Sequence, residues 1–140
     1  MKTPGLTNPL RGLILPRDTR SKRISSWDRS GANAARWILE PGDTATIAQI
    51  DGAGCINHIW MTSGSEEHAW PRKVLLRMYW DDQEAPGVEA PLGDFFGVGH
   101  GVLAEWESMP LGMTHHPSGA MRSAFNCWFP MPFSTGVRKW

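Results

Sequence analysis

The chain has no long apolar run, no excess of either charge and almost no cysteine, and each shortage excludes something. The apolar stretch near its start, residues 13–15, is too short for a signal-peptide core, and nothing reaches the length of a membrane-spanning helix. No membrane partner is expected, and the default compartment is the cytoplasm. Fourteen basic residues balance fourteen acidic ones, a formal net charge of zero. Nucleic acids and anionic lipid surfaces reward clustered positive charge, so neither is expected as a partner. The two cysteines, Cys55 and Cys127, form no C-x-x-C pair and sit in apolar runs. Two buried free thiols are the expectation, with a disulfide left open. His115 and His116 adjoin each other, a poor chelating geometry, and no metal site and no cofactor are expected. The glycines of GVGHG lack the spacing of a dinucleotide fingerprint and the Lys-Ser/Thr of a P-loop. There is no G-x-S-x-G elbow. Helical periodicity is missing too: Gly or Pro interrupts every apolar window of about a dozen residues.

What is present points to strands. Fifteen glycines and eleven prolines punctuate the whole chain. Strand-like stretches occur at 36–39, 44–50, 55–62, 73–80, 88–90 and 124–131. Between them lie Pro41-Gly42-Asp43, Asp51-Gly52-Ala53-Gly54, the run 81–87 and Pro117-Ser118-Gly119. Short strands between such turns read as a β-sandwich or barrel, with one short helical turn at 92–96. At 140 residues the chain is one domain by length. Residues 1–24 are locally basic, with Lys2, Arg11, Arg17, Arg20, Lys22 and Arg23 against Asp18 alone. They read as an arm packed on the surface of a domain spanning 25–140. Residues 102–122 have no clean period. A loop of that length is functional or is ordered by a neighbour, which makes it a candidate contact surface between subunits.

The segment 74–101, VLLRMYWDDQEAPGVEAPLGDFFGVGHG, concentrates the chemistry. It opens as a strand with Val74, Leu76, Met78 and Trp80 on one face. It ends in a glycine-rich loop carrying Asp94 and His100, which is how small-molecule sites are commonly shaped. Asp94 is either the N-cap of the short helix or a ligand contact, and capping is favoured. His100 lies between two glycines with little cover, open to a substrate or a partner subunit. The SSWDR run sets hydroxyls, Trp27, Asp28 and Arg29 side by side. A carboxylate accepts two sugar hydroxyls and a guanidinium donates from a fixed fork. The same run makes an ordinary turn if Asp28 accepts from backbone N–H groups and Arg29 pairs with it. Eight tryptophans stand against one tyrosine. Trp60 and Trp80 lie in strands and are expected in the core. Trp27, Trp70 and Trp106 lie in loop-like surroundings and are the ligand candidates, because a flat indole suits the C–H face of a sugar. His58 alternates with Ile56 and Trp60 and is expected as a core histidine. Glu89 reads as an outward strand residue or an ion-pair member, and Glu66 and Glu67 as a solvated loop.

Four blocks, RSKRISSWDRSGAN, GAGCINHIWMT, PLGDFFGVGHG and NCWFPMPF, resemble the domain-of-unknown-function family 2961, placed in glycoside hydrolase family 172. The resemblance runs from Arg20 to the end of the chain. It implies an all-β jelly-roll sandwich, the first of two in tandem, in members more than twice this length. It also implies oligomers, most simply a homo-oligomer, and retaining hydrolysis of furanosides by two glutamates in the second half. No glutamate here matches those two, so the catalytic residues are unassigned. By the same resemblance, Trp27, Asp28 and Arg29 would contact the furanoside, with Asp94 and His100 shaping the rim. A non-catalytic carbohydrate-binding or assembly module is the alternative.

Overall fold

A computed structural model describes residues 14–16, 18–115 and 122–139. Among these residues ten strands form three antiparallel sheets, with a short α-helical turn and a 3-10 turn between strands. In chain order the strands are β1 (Ala48–Asp51), β2 (Gly54–Ile56), β3 (Ile59–Gly64), β4 (Leu75–Trp80), β5 (Val88–Pro91), β6 (Trp106–Glu107), β7 (Leu111–His115), β8 (Arg122–Cys127), β9 (Met131–Phe133) and β10 (Gly136–Lys139). The helical turn, α1, is Leu92–Phe95. One sheet runs β1-β10-β4-β5, a second β3-β8-β7-β6, and a short ladder joins β2 to β9. The chain pairs from its outside inward, β1 with β10, β2 with β9 and β3 with β8, while β4–β5 and β6–β7 close as local hairpins. The architecture is an all-β sandwich.

Its core lies between the two four-stranded sheets. Leu76 and Met78 point in from one sheet, and Ile59, Met113, Phe125 and Cys127 from the other. Leu92, Phe96 and Val98 from the helical turn and the loop after it complete the cluster. Each large apolar side chain buried this way contributes roughly 1.5–3 kcal/mol. Phe125 is the hub: Phe96 lies 5.1 Å from it and Trp70 meets it edge-on at 6.2 Å.

The inward phase of β4 is as its pattern predicts. Other expectations change. Residues 36–39 form no strand, because no partner ladder reaches them, and Trp37, Ile38 and Leu39 are exposed. The stretch 55–62 breaks at Asn57-His58 into β2 and β3. The break shifts the phase, so Ile59 turns inward and His58 and Trp60 turn to solvent. Neither is a core residue. Cys55 and Cys127 are not joined in a disulfide, and Cys55 is exposed while only Cys127 is buried. The stretch 102–122 holds the β6–β7 hairpin rather than a long loop. His116 and the Pro117-Ser118-Gly119 turn lie outside the described residues, as does most of the basic arm. Among the described residues no helix is long and apolar enough to cross a membrane.

Candidate functional site

Alternation along β8 generates the site. Phe125 and Cys127 point into the core, so Asn126 and the following Trp128 point outward. The register carries the outer row across the sheet: Trp60 faces Asn126, Asn126 faces Gly112, and Gly112 faces Glu107. On the far edge Trp106 packs toward the core, which leaves Glu105 and Glu107 on the solvent side. Together they frame an open concavity of about 340 Å3. Glu105, Glu107 and Ser108 stand along one wall, Asn126 and Trp128 along the other, and Gly112 and Thr114 lie between them.

The chemistry of the lining is mixed. Trp128 is 54% exposed and presents an indole face. Its other face stacks on His58, with centroids 3.6 Å apart and planes 2° from parallel. His58 Nε2 also lies 3.0 Å from Asn126 Oδ1. Glu105 and Glu107 have no hydrogen-bond partner among the described residues, so their lone pairs are open to a ligand. The Trp106 indole N–H is buried without a partner among the described residues. Trp106 is held from beneath by Gly97, whose φ of +83° suits glycine and where a Cβ would meet the indole ring. The glycine-rich loop thus touches the concavity from inside the molecule.

Trp27, Asp28, Arg29, Asp94 and His100 do not line the concavity. Asp28 builds a turn: Oδ1 accepts from Ser30 N–H at 2.8 Å and Ser30 Oγ at 2.7 Å, and Oδ2 from Ala34 N–H at 2.9 Å. The Ser30 hydroxyl, then the Ala34 N–H, hold its carboxyl below the usual range. Arg29 lies over the Trp27 ring, 5.9 Å from its centroid, rather than pairing with Asp28. Asp94 does not cap α1; Pro91 holds that position. Asp94 instead pairs with Arg72 at 3.5 Å, and Arg72 also donates to the Gly99 carbonyl. This bracket ties the loop to the 3-10 turn Trp70–Arg72. His100 is exposed on the turn beyond. Trp70 is not a ligand residue; it is 5% exposed in the core. Of the three tryptophans proposed for ligand contact, Trp106 alone lines the concavity.

Other polar groups serve the fold. Glu89 pairs with its cross-strand neighbour Arg77 at 2.6 Å, and Glu67 pairs with Lys73. His115 Nδ1 lies 3.4 Å from Ser123 Oγ. Asp81 Oδ1 accepts from the backbone N–H groups of Ser134 and Thr135, both at 2.7 Å, and of Gly136 at 3.3 Å. The Thr135 N–H is the main cause that its carboxyl sits below the usual range. Among the described residues no three His, Cys, Asp or Glu side chains are placed to hold a metal ion.

A family model described as GH172 domain-like matches residues 30–138. The chain belongs to that family. The match spans the sandwich, all but the last residue of β10, and both walls of the concavity. The run Ser25–Arg29 lies just ahead of it. No curated protein matches the chain.

Glu105, Glu107, Asn126 and Trp128, which line the concavity, are not singled out by the sequence. A signal was there: E-W-E and F-N-C-W both alternate polar or amphipathic groups with buried ones. β6 is only two residues long, too short to show a period of two by itself.

Proposed function

We propose that this GH172-like domain binds a neutral furanoside, of the fructofuranoside or arabinofuranoside class, on the outer face of β6, β7 and β8. The observation that carries the reading is the pairing of one indole face with two uncommitted carboxylates across a single concavity. An indole covers the apolar C–H face of a sugar ring, and carboxylates accept its hydroxyls. Lys and Arg do not occur in the lining among the described residues, so nothing there favours an anionic sugar.

Glu105 and Glu107 act as hydroxyl acceptors in this reading rather than as a hydrolytic pair. They lie two positions apart, next to and within one strand, and rise from the same face, roughly 6.5–7 Å apart along the backbone. Glycoside hydrolysis sets its two carboxyl groups on either side of the scissile bond. The domain therefore supplies a binding wall, and the same geometry suits a carbohydrate-binding module. Titration of methyl arabinofuranoside and methyl fructofuranoside, followed by tryptophan emission, tests it. Trp128→Ala is expected to weaken binding at least about tenfold, the scale of one well-placed aromatic contact. Wild-type affinity retained in both Trp128→Ala and Glu107→Gln would sink the reading.

A further inference from the structure

We propose that His58 is a positioning residue that fixes the plane of Trp128 and the polarity of Asn126. The inference rests on the sugar-binding reading of this face and names the group that orients it. The register Ile59↔Cys127 and Trp60↔Asn126, extended one step, sets His58 opposite Trp128. The two rings lie parallel at 3.6 Å. One face of the indole is therefore covered, and only the other is left to a ligand. The stack also holds the indole against rotation, so its exposed face is oriented before any sugar arrives. Pre-orientation of this kind raises affinity by lowering the ordering cost of binding.

The hydrogen bond sets the second property. Asn126 Oδ1 faces His58 Nε2 at 3.0 Å. An amide oxygen only accepts, so Nε2 carries the hydrogen. With its oxygen committed, Asn126 has its NH2 group left for the concavity that it lines. The face is then divided: a donor at Asn126, and acceptors at Glu105 and Glu107. A furanoside has hydroxyls, which donate and accept, and ring and glycosidic oxygens, which only accept. Asn126 is the seat for an acceptor-only oxygen and the glutamates are the seat for hydroxyls. His58 thereby decides which way round a neutral sugar lies.

Two measurements test this on the intact chain. The first is the 15N shift of the two His58 ring nitrogens, which reports which of them carries the hydrogen. Protonation at Nε2 is expected; protonation at Nδ1 would overturn the proposal. The second compares His58→Phe, which keeps a flat ring on Trp128 but has no N–H, with His58→Gln, which keeps a donor. Methyl arabinofuranoside binding is expected to fall about tenfold in His58→Phe, the scale of one lost hydrogen bond. His58→Gln should recover part of it. Affinity unchanged in His58→Phe, with tryptophan emission also unchanged, overturns the positioning role. If the wild type binds no furanoside, the sugar reading fails by itself. The Asn126 side-chain amide resonances then decide the rest: they must move in His58→Phe, and their standing still overturns the proposal.

Discussion

Trp27 and Trp128 are both exposed indoles, 60% and 54% open to solvent, and both have a cationic or ionisable group over one face. Their settings differ. Trp27 lies beside the turn ahead of β1, and the bonds around it are local. Asp28 reaches Ser30 and Ala34, and Ser26 donates to the Ala35 carbonyl at 3.0 Å. Trp128 follows directly on β8, a central strand with a partner on each side. Its backing ring comes from residue 58, far away in sequence. In the proposed reading, the difference is what separates a binding aromatic from a surface one. Trp128 inherits the rigidity of a sheet and faces a concavity with open acceptors. Around Trp27 the acceptors are already occupied by the turn itself.

The largest expected effect comes from removing the support of one region alone. Phe125 is fully buried directly beneath the Asn126–Trp128 face. Phe125→Ala is expected to cost about 3–5 kcal/mol in denaturant unfolding. The local turn at Trp27 should keep its amide pattern in mildly destabilising conditions while the sheet signals collapse. Loss of both together would show that the Trp27 turn depends on the sandwich.

A smaller effect separates the two indoles directly. Trp27→Ala is expected to leave furanoside binding within about twofold of the wild type, since surface substitutions away from built features do little. A loss matching that of Trp128→Ala would return the site to the SSWDR run and break the contrast.

The smallest effect concerns acid. The carboxyl of Asp81 is held below 3.8, its ordinary value, by the N–H groups of the β9–β10 turn. A lowered carboxyl pKa stabilises the fold above the unfolded-state value. That contribution fades as pH falls through the folded-state value. The resonances of Ser134 and Thr135 should therefore titrate below the usual carboxylate range, and Asp81→Asn should abolish the titration. Persistence of the titration in Asp81→Asn would assign it to another group. Asp28 carries the same signature in the Trp27 turn, and the two regions should loosen separately in acid.

Much of the fold was legible. The alternation in VLLRMYW placed Leu76 and Met78 inward, and the short helical turn after Pro91 is where its pattern suggests. β6, β7, β9 and β10 were not legible: β6 is too short, Pro132 sits inside β9, and Gly112 and Gly136 interrupt the patterns of the other two. His58 and Trp60 were placed on the wrong face because one break between β2 and β3 reverses the phase of everything after it. The open acceptors of the concavity were hidden for another reason. Nothing local distinguishes Glu107, whose carboxylate has no partner among the described residues, from Glu89, which is taken by Arg77 across the ladder.

The amino-acid order alone determined an all-β chain cut by glycine and proline, because strand period and turn chemistry are properties of neighbouring residues. Only the tertiary structure decided which polar groups remain available. His58 meets Asn126 across 68 positions of sequence, and β8 meets β7 and β3 through ladders that no local pattern encodes. A binding face is made by whichever side chains such long-range pairing leaves outward and unmatched, so it comes into being only when the sheet closes.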